Sequence, residues 1–130
     1  MPNFHLFFSH KLTDEQIVDA KNNLKVEEII PLPDDLQEMF SNVPPDFDAT
    51  GLRTYAEPLY AYICAQVRAG DYVLVQGDFG LSFLLVIFLQ NQGAIPVYAT
   101  TERASVDVQN PDGSVTTQRI FRHKIFRKYG

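Results

Sequence analysis

A chain of 130 residues, 45% hydrophobic and 21% charged, supports one hydrophobic core and a single domain, residues 1–130. Its formal net charge of −5 excludes a protein that grips long nucleic acid through a generally basic surface. The single cysteine, Cys64, excludes a disulfide framework and a cysteine metal cluster, and the longest apolar run, Phe79 to Leu89, is far shorter than the roughly 20 residues that cross a bilayer.

The opening segment, "MPNFHLFFSH", has no basic stretch ahead of a long apolar run, so the sequence predicts a cytoplasmic chain with no membrane partner. Within it, "FHLFF" (4–8) reads as a short strand. "LTDEQIVDAKNNL" follows as a helix, with Thr13 as N-cap and Gln16 three residues on, the pattern of a capping box. "VEEIIPL" is a second strand. Pro33 suits the first position of a second helix, "PDDLQEMFSNV", whose Asp34 and Asp35 favour the positive end of the helix dipole.

"PPDFDATG" reads as a loop, and apolar residues at helical spacing then predict a helix over 52–68. Pro58 inside it implies a kink or a later start. Tyr55, Tyr60 and Tyr62 fall on this helix as core material, with one of them free to stack on a base. "DYVLVQ" is a third strand, 79–91 a helix that Gly93 stops, and "IPVYAT" (95–100) a fourth strand. Two alternating runs around Pro111-Asp112-Gly113 predict a closing β-hairpin. In "FRHKIFRKY", alternation sets Phe121, His123 and Ile125 on one side of an edge strand, and Arg122, Lys124 and Phe126 on the other.

Alternating strands and helices through residue 100 predict an α/β fold: an open, mainly parallel sheet with helices on both faces and a C-terminal hairpin. The unbroken apolar runs "YVLVQ" and "FLLVIFL" suit elements buried on every side. Charge divides unevenly along this order. Residues 113–130 carry Arg119, Arg122, Lys124, Arg127 and Lys128 without a carboxylate, while residues 1–112 hold all 16 carboxylates against six Lys and Arg. The tail is either a solvated basic strand or a local anion site on an acidic body.

In an open parallel sheet, ligands sit beyond the carboxyl ends of the strands. Three polar groups converge there: Ser9-His10 after strand one, Gln76-Gly77-Asp78-Phe79-Gly80 after strand three, and Thr100-Thr101 with Arg103 after strand four. Gly77 and Gly80 allow unusual backbone angles and a close ligand approach, and the amides opening helix 79–91 can hold a phosphate. The same residues also suit a plain strand-to-helix turn capped by Asp78. His10 reads either as a loop residue or as a proton-transfer group. Ser9 and His10 are neighbours whose side chains point apart, which argues against a serine-hydrolase pair. His5, His10 and His123 lack metal-ligand spacing, so neither a metal nor another cofactor is expected.

"SHKLTDEQ", "EEIIPLPDDLQEMFSNVP", "GDYVLVQGDFG", "PVYATTER" and "FRHKIFRKY", in this order, resemble a small stand-alone family of CRISPR-associated proteins, the Csx-group ring nucleases of type III systems. The likeness spans nearly the whole chain. It implies a Rossmann-like fold that binds cyclic oligoadenylate, cyclic tetra-adenylate foremost. It further implies metal-independent cleavage by attack of a ribose 2′-hydroxyl, leaving a 2′,3′-cyclic phosphate. On this chain that chemistry assigns Ser9, His10 and Asp78 to the reacting phosphate, with His10 or His123 as proton donor. Gln76, Gly77, Phe79, Gly80, Thr100 and Thr101 would hold the ligand, and Arg103, His123 and Arg127 would bind it and offset its charge. A cyclic tetranucleotide can be twofold symmetric, so a homodimer is expected. Relatives that bind the messenger without cutting it leave a sponge or sensor as the alternative. An unrelated α/β domain that binds a mononucleotide or a protein partner is the third reading.

Overall fold

The computed structural model describes residues 1–130. Strand β1 (Phe4–Phe8) leads through a loop to helix α1 (Asp14–Asp19), which continues as a π-helical turn over Ala20–Leu24. The capping box is present. Thr13 Oγ1 accepts from the Gln16 amide, and the Gln16 side chain accepts from the Thr13 amide at 2.9 Å. Lys25, in the left-handed region at φ 55°, ends the turn. Strand β2 (Ile29–Pro31) and helix α2 (Asp34–Ser41) follow. Pro33 stands at the N-cap with extended backbone rather than as the first helical residue, because its ψ of 152° falls outside the helix.

Helix α3 (Ala49–Gln66) starts three residues earlier than the periodicity predicts. The cause is a local hydrogen bond: the Asp48 carboxylate accepts from the Gly51 amide at 2.8 Å and caps the helix inside the expected loop. Pro58 neither starts nor stops α3. It lies on the exposed face, where water can satisfy the carbonyl four residues earlier that its missing N–H leaves free.

Strand β3 (Tyr72–Gln76) and helix α4 (Phe79–Asn91) keep their predicted bounds within a residue. Strand β4 (Ile95–Gln109) differs, because the expected fourth strand and the first arm of the hairpin are one continuous strand. No breaker interrupts it, and β5 (Val115–Lys128) pairs along its whole length. The β4–β5 register shifts between Ala99 and Thr101, where Ala99 faces Phe126 but Thr101 faces His123. Thr100 stitches this bulge, its Oγ1 donating to the Ile125 carbonyl and accepting from the Ile125 amide, both at 3.1 Å. The extra residue breaks the expected alternation, so His123 and Phe126 come together with ring centroids 4.6 Å apart.

The sheet runs β2-β1-β3-β4-β5, with the first four strands parallel and β5 antiparallel at the edge. This is a Rossmann-like α/β fold with an appended hairpin. Alternation along the strands divides two cores. Phe7, Val73 and Val75 pack under α2, α3 and α4 with Phe40, Leu59, Ile63 and Leu85. Phe4, Leu74, Val97 and Phe126 pack under the α1 unit with Ala20 and Val26. Tyr60 stacks on Phe88 at 4.3 Å, while Tyr62 lies against Phe7, so these rings serve the first core.

The expectation that α4 is buried on every side fails. Leu81, Leu85 and Leu89 are wholly buried, but Phe79 is 95% exposed, Phe83 63% and Ile87 42%. No helix is long and apolar enough to cross a membrane.

Candidate functional site

The parallel register builds the rim. Phe8 is paired with Gln76 across β1 and β3, so Ser9 and Gly77 leave the sheet side by side, about 4.8 Å apart by strand spacing. Gln76 Oε1 accepts from the Ala99 amide at 2.9 Å, tying the end of β3 to β4 beyond the last ladder pair, Leu74 with Val97. On the other side Gln37 of α2 donates from Nε2 to the Phe8 carbonyl at 2.7 Å. The ends of β1 and β3 and the start of α2 therefore converge, which brings Ser9-His10 beside Gln76-Gly77, whereas Thr100, Thr101 and Arg103 lie within the continuous β4 and not at a strand end.

Beside this rim lies a cavity of about 630 Å³ between α1, the ends of β1 and β2, and the start of α2. Its floor is apolar, with Leu6, Phe8, Ile29 and the buried Leu32, and its mouth is polar, with Ser9, His10, Lys11, Asp34 and Gln37. The volume is within the range of small-molecule sites. The exposed His10 ring meets the edge of Phe8 at 5.5 Å and has no hydrogen-bond partner orienting it. Asp34, Gln37 and the apolar floor were not singled out by sequence reasoning. They belong to the site through the folding of α2 over the β1–β2 edge, which no local pattern announces.

The Gly77–Gly80 turn behaves differently from its sequence reading. Neither glycine has a positive φ. A Cβ on Gly77 would lie 2.7 Å from the ring of Phe40, and one on Gly80 would lie 2.8 Å from Leu52 Cδ2. Close packing requires glycine at 77, against the buried Phe40 ring, whereas at 80 only the tip of the Leu52 side chain would have to move aside. Asp78 caps α4, its Oδ2 accepting from the Leu81 amide at 2.9 Å. That engagement matches the plain-turn reading and leaves Asp78 one carboxylate oxygen for other work. The Phe79 and Gly80 amides still open the first turn with no intrahelical acceptor.

Gly77→Val is thus expected to lower stability by about 1–3 kcal/mol, since the Phe40 ring, itself T-stacked on Phe7 at 6.1 Å, must shift. Urea unfolding measures it; an unchanged midpoint would show that Phe40 has slack.

The remaining predicted residues stand apart from the cavity. Thr100 is occupied in the bulge, and Thr101 and Arg103 lie on the protruding β4 arm, where Arg103 stacks over Phe121 at 5.6 Å. Arg127 donates to Tyr98 Oη at 2.9 Å on the α4 side of the sheet. His123 is drawn to the opposite face, its Nε2 2.6 Å from Asp19 Oδ2 of α1, with both side chains largely buried. The bulge turns it inward, away from the rim. No group of three or more His, Cys, Asp or Glu side chains is placed to hold a metal ion.

A family model described as "Uncharacterized protein MJ1673 family" matches residues 2–127. "Uncharacterized protein MJ1673" of Methanocaldococcus jannaschii is 47% identical over 129 residues, covering 99% of this chain and 98% of that protein. The chain belongs to the MJ1673 family. The match takes in every element of the rim, from β1 through α4, and reaches residue 127, inside β5. No solved structure matches the chain.

Proposed function

We propose that this protein is a cytoplasmic ring nuclease of type III CRISPR defence, which binds cyclic tetra-adenylate and linearises it. The observation that carries the reading is the side-by-side exit of Ser9 and Gly77 next to a 630 Å³ cavity with an apolar floor and a polar mouth. An adenine suits such a floor, and the Ser9 hydroxyl with the first amides of α4 suits the adjoining phosphate. The likeness of the five motifs to Csx-group ring nucleases supplies the substrate class.

In the proposed reaction a ribose 2′-oxygen loses its proton to solvent and attacks the adjacent phosphorus. The P–O5′ bond breaks, His10 donates a proton to the leaving 5′-oxygen, and a 2′,3′-cyclic phosphate remains. Lys11, at the cavity mouth, offsets the charge that builds on the phosphate. Nothing in this scheme requires Thr101, Arg103 or His123, which lie elsewhere.

A second reading, a messenger-binding protein without turnover, is favoured by one feature: no side chain orients His10. Incubation with cyclic tetra-adenylate in EDTA, followed by chromatography, separates the two. Linear products ending in 2′,3′-cyclic phosphate are expected. Binding with no product would establish the sponge or sensor. Failure to bind any ring of three to six adenylates would remove both readings.

A further inference from the structure

Helix α4 carries no charged residue, and its sequence, "FGLSFLLVIFLQN", is apolar around nearly its whole circumference. A helix hydrophobic on all sides belongs in an interior. In the monomer only one side is covered. Phe79, Phe83 and Ile87, spaced four apart, form a continuous exposed stripe, with exposures of 95%, 63% and 42%. Solitary exposed apolar residues need no explanation, but an aligned row containing two phenylalanines does.

Beside the stripe, and walled in part by its own Phe79 and Phe83 together with Gln76, Gly77, Val86 and Tyr129, is a hollow of about 260 Å³ in which the Ser82 hydroxyl is buried without a partner. The hollow is large enough for an aromatic ring. One face thus carries both a protruding ring and a recess that fits one, and this self-complementarity is what an isologous contact requires. That self-complementarity commits the face to a second copy of this chain, and the charges near it allow one. Helix α4 itself brings no charge to such a contact, and the nearest charges, Asp78 at its N-cap and Arg127 beside Tyr98, are of opposite sign and can face each other across a twofold axis.

The two rings alone supply a substantial part of the area a dimer needs. At about 150–250 Å² per aromatic side chain, scaled by exposure, Phe79 and Phe83 of two copies contribute about 500–800 Å². That is roughly 40% of the ~1,200–2,000 Å² typical of a stable interface, with Ile87 and the walls of the hollow to add.

We propose that α4 is the seam of a twofold homodimer, in which a phenylalanine of each copy's Phe79–Phe83–Ile87 stripe fills the Gly77–Tyr129 hollow of the other. The inference rests on the shape and polarity of this face alone and stands whether or not the protein cleaves a nucleotide.

Sedimentation of the ligand-free wild-type protein is expected to give twice the 14.8 kDa chain mass at micromolar concentration. The double variant Phe79→Glu, Phe83→Glu, with an unchanged circular dichroism spectrum, is expected to run as a monomer, its association weakened about 100-fold or more. A second readout uses a short bismaleimide on Phe83→Cys in a Cys64→Ser background, since Cys64 is itself exposed. That variant should cross-link into dimers, and a control cysteine replacing exposed Glu38 on α2 should not. A wild-type monomer at all concentrations overturns the proposal; if that monomer floats with phosphatidylcholine vesicles, lipid is the occupant instead. A dimer that persists in a folded double variant, cross-links through position 38 rather than 83, or gives way to a larger assembly also overturns it.

Discussion

Replacing Asp71 with Ala is expected to cost about 3–5 kcal/mol of stability, read from the midpoint of urea unfolding. The Asp71 side chain is 7% exposed and meets a His5 ring that is 2% exposed, with Nε2 and Oδ2 3.1 Å apart. Its carboxylate also accepts from the Asn3 and Arg68 amides, both at 3.0 Å. Three donors from the start of β1 and the loop before β3 would lose their acceptor at once, and His5 Nδ1 is already without a partner. The same site sets an acid response. Burial pushes the Asp71 carboxyl up, but the Arg68 and Asn3 amides and the His5 ring together outweigh it and hold the group below the usual carboxylate range. Its contribution is therefore complete above the unfolded value of about 3.9 and drains away as pH falls through the lower folded value. Wild-type stability should fall as pH drops below about 4, and Asp71→Asn should give a flatter profile there. Parallel profiles would show that the acid response arises elsewhere.

The two buried His–Asp pairs mark the limit of what the sequence could tell. His5 and Asp71 stand 66 residues apart, and His123 and Asp19 stand 104 apart. Neither pair has a spacing signature, because the parallel register and the β4–β5 bulge create the contacts. Read locally, His5 was only a poor metal ligand and His123 a candidate proton donor on the basic tail. What was legible had a local cause. The capping box of α1, the bounds of β3 and α4, and the alternation that predicted a parallel sheet each depend on residues within a few positions of one another. The Ser9–Gly77 side of the rim was legible for the same reason, since it follows from two paired strand ends, whereas Thr100, Thr101 and Arg103 were misplaced because β4 runs on to Gln109. Its cavity was not, since α2 supplies Asp34 and Gln37 by folding over the edge. Gly77 shows the inverse case. The sequence identified a residue that must be glycine, but the reason is the Phe40 ring 2.7 Å from its missing Cβ. The same limit applies to α4, whose apolar run predicts burial and cannot say that Phe79, Phe83 and Ile87 stay exposed.

The chemical step offers the largest effect on activity. His10→Ala is expected to reduce cyclic tetra-adenylate cleavage by about 10²–10⁴-fold, the usual value of one general acid, while affinity changes only a few-fold. The structural basis is access. His10 is exposed at the mouth of the 630 Å³ cavity, one residue past Ser9, with its ring T-stacked on Phe8 and no hydrogen bond holding it. It can therefore turn toward a leaving oxygen without breaking a bond of the folded protein, and its loss should leave the unfolding midpoint unchanged. Ser9→Ala should lower the rate less, because a hydroxyl that holds the phosphate has neighbouring amides to share the task. His123 gives the contrasting control. Held by Asp19 at 2.6 Å and packed on Phe126, it should reduce stability when replaced by Ala and leave the cleavage rate intact. Single-turnover rates and urea midpoints measured on the same three variants separate these outcomes. A His10→Ala protein that cleaves at the wild-type rate would make His10 a bystander and leave in-line positioning by Ser9, Asp78 and the first amides of α4 to carry the reaction. A slow His123→Ala protein with an unchanged midpoint would move the acid to the other face of the sheet, and the cavity would lose its claim to be the active site.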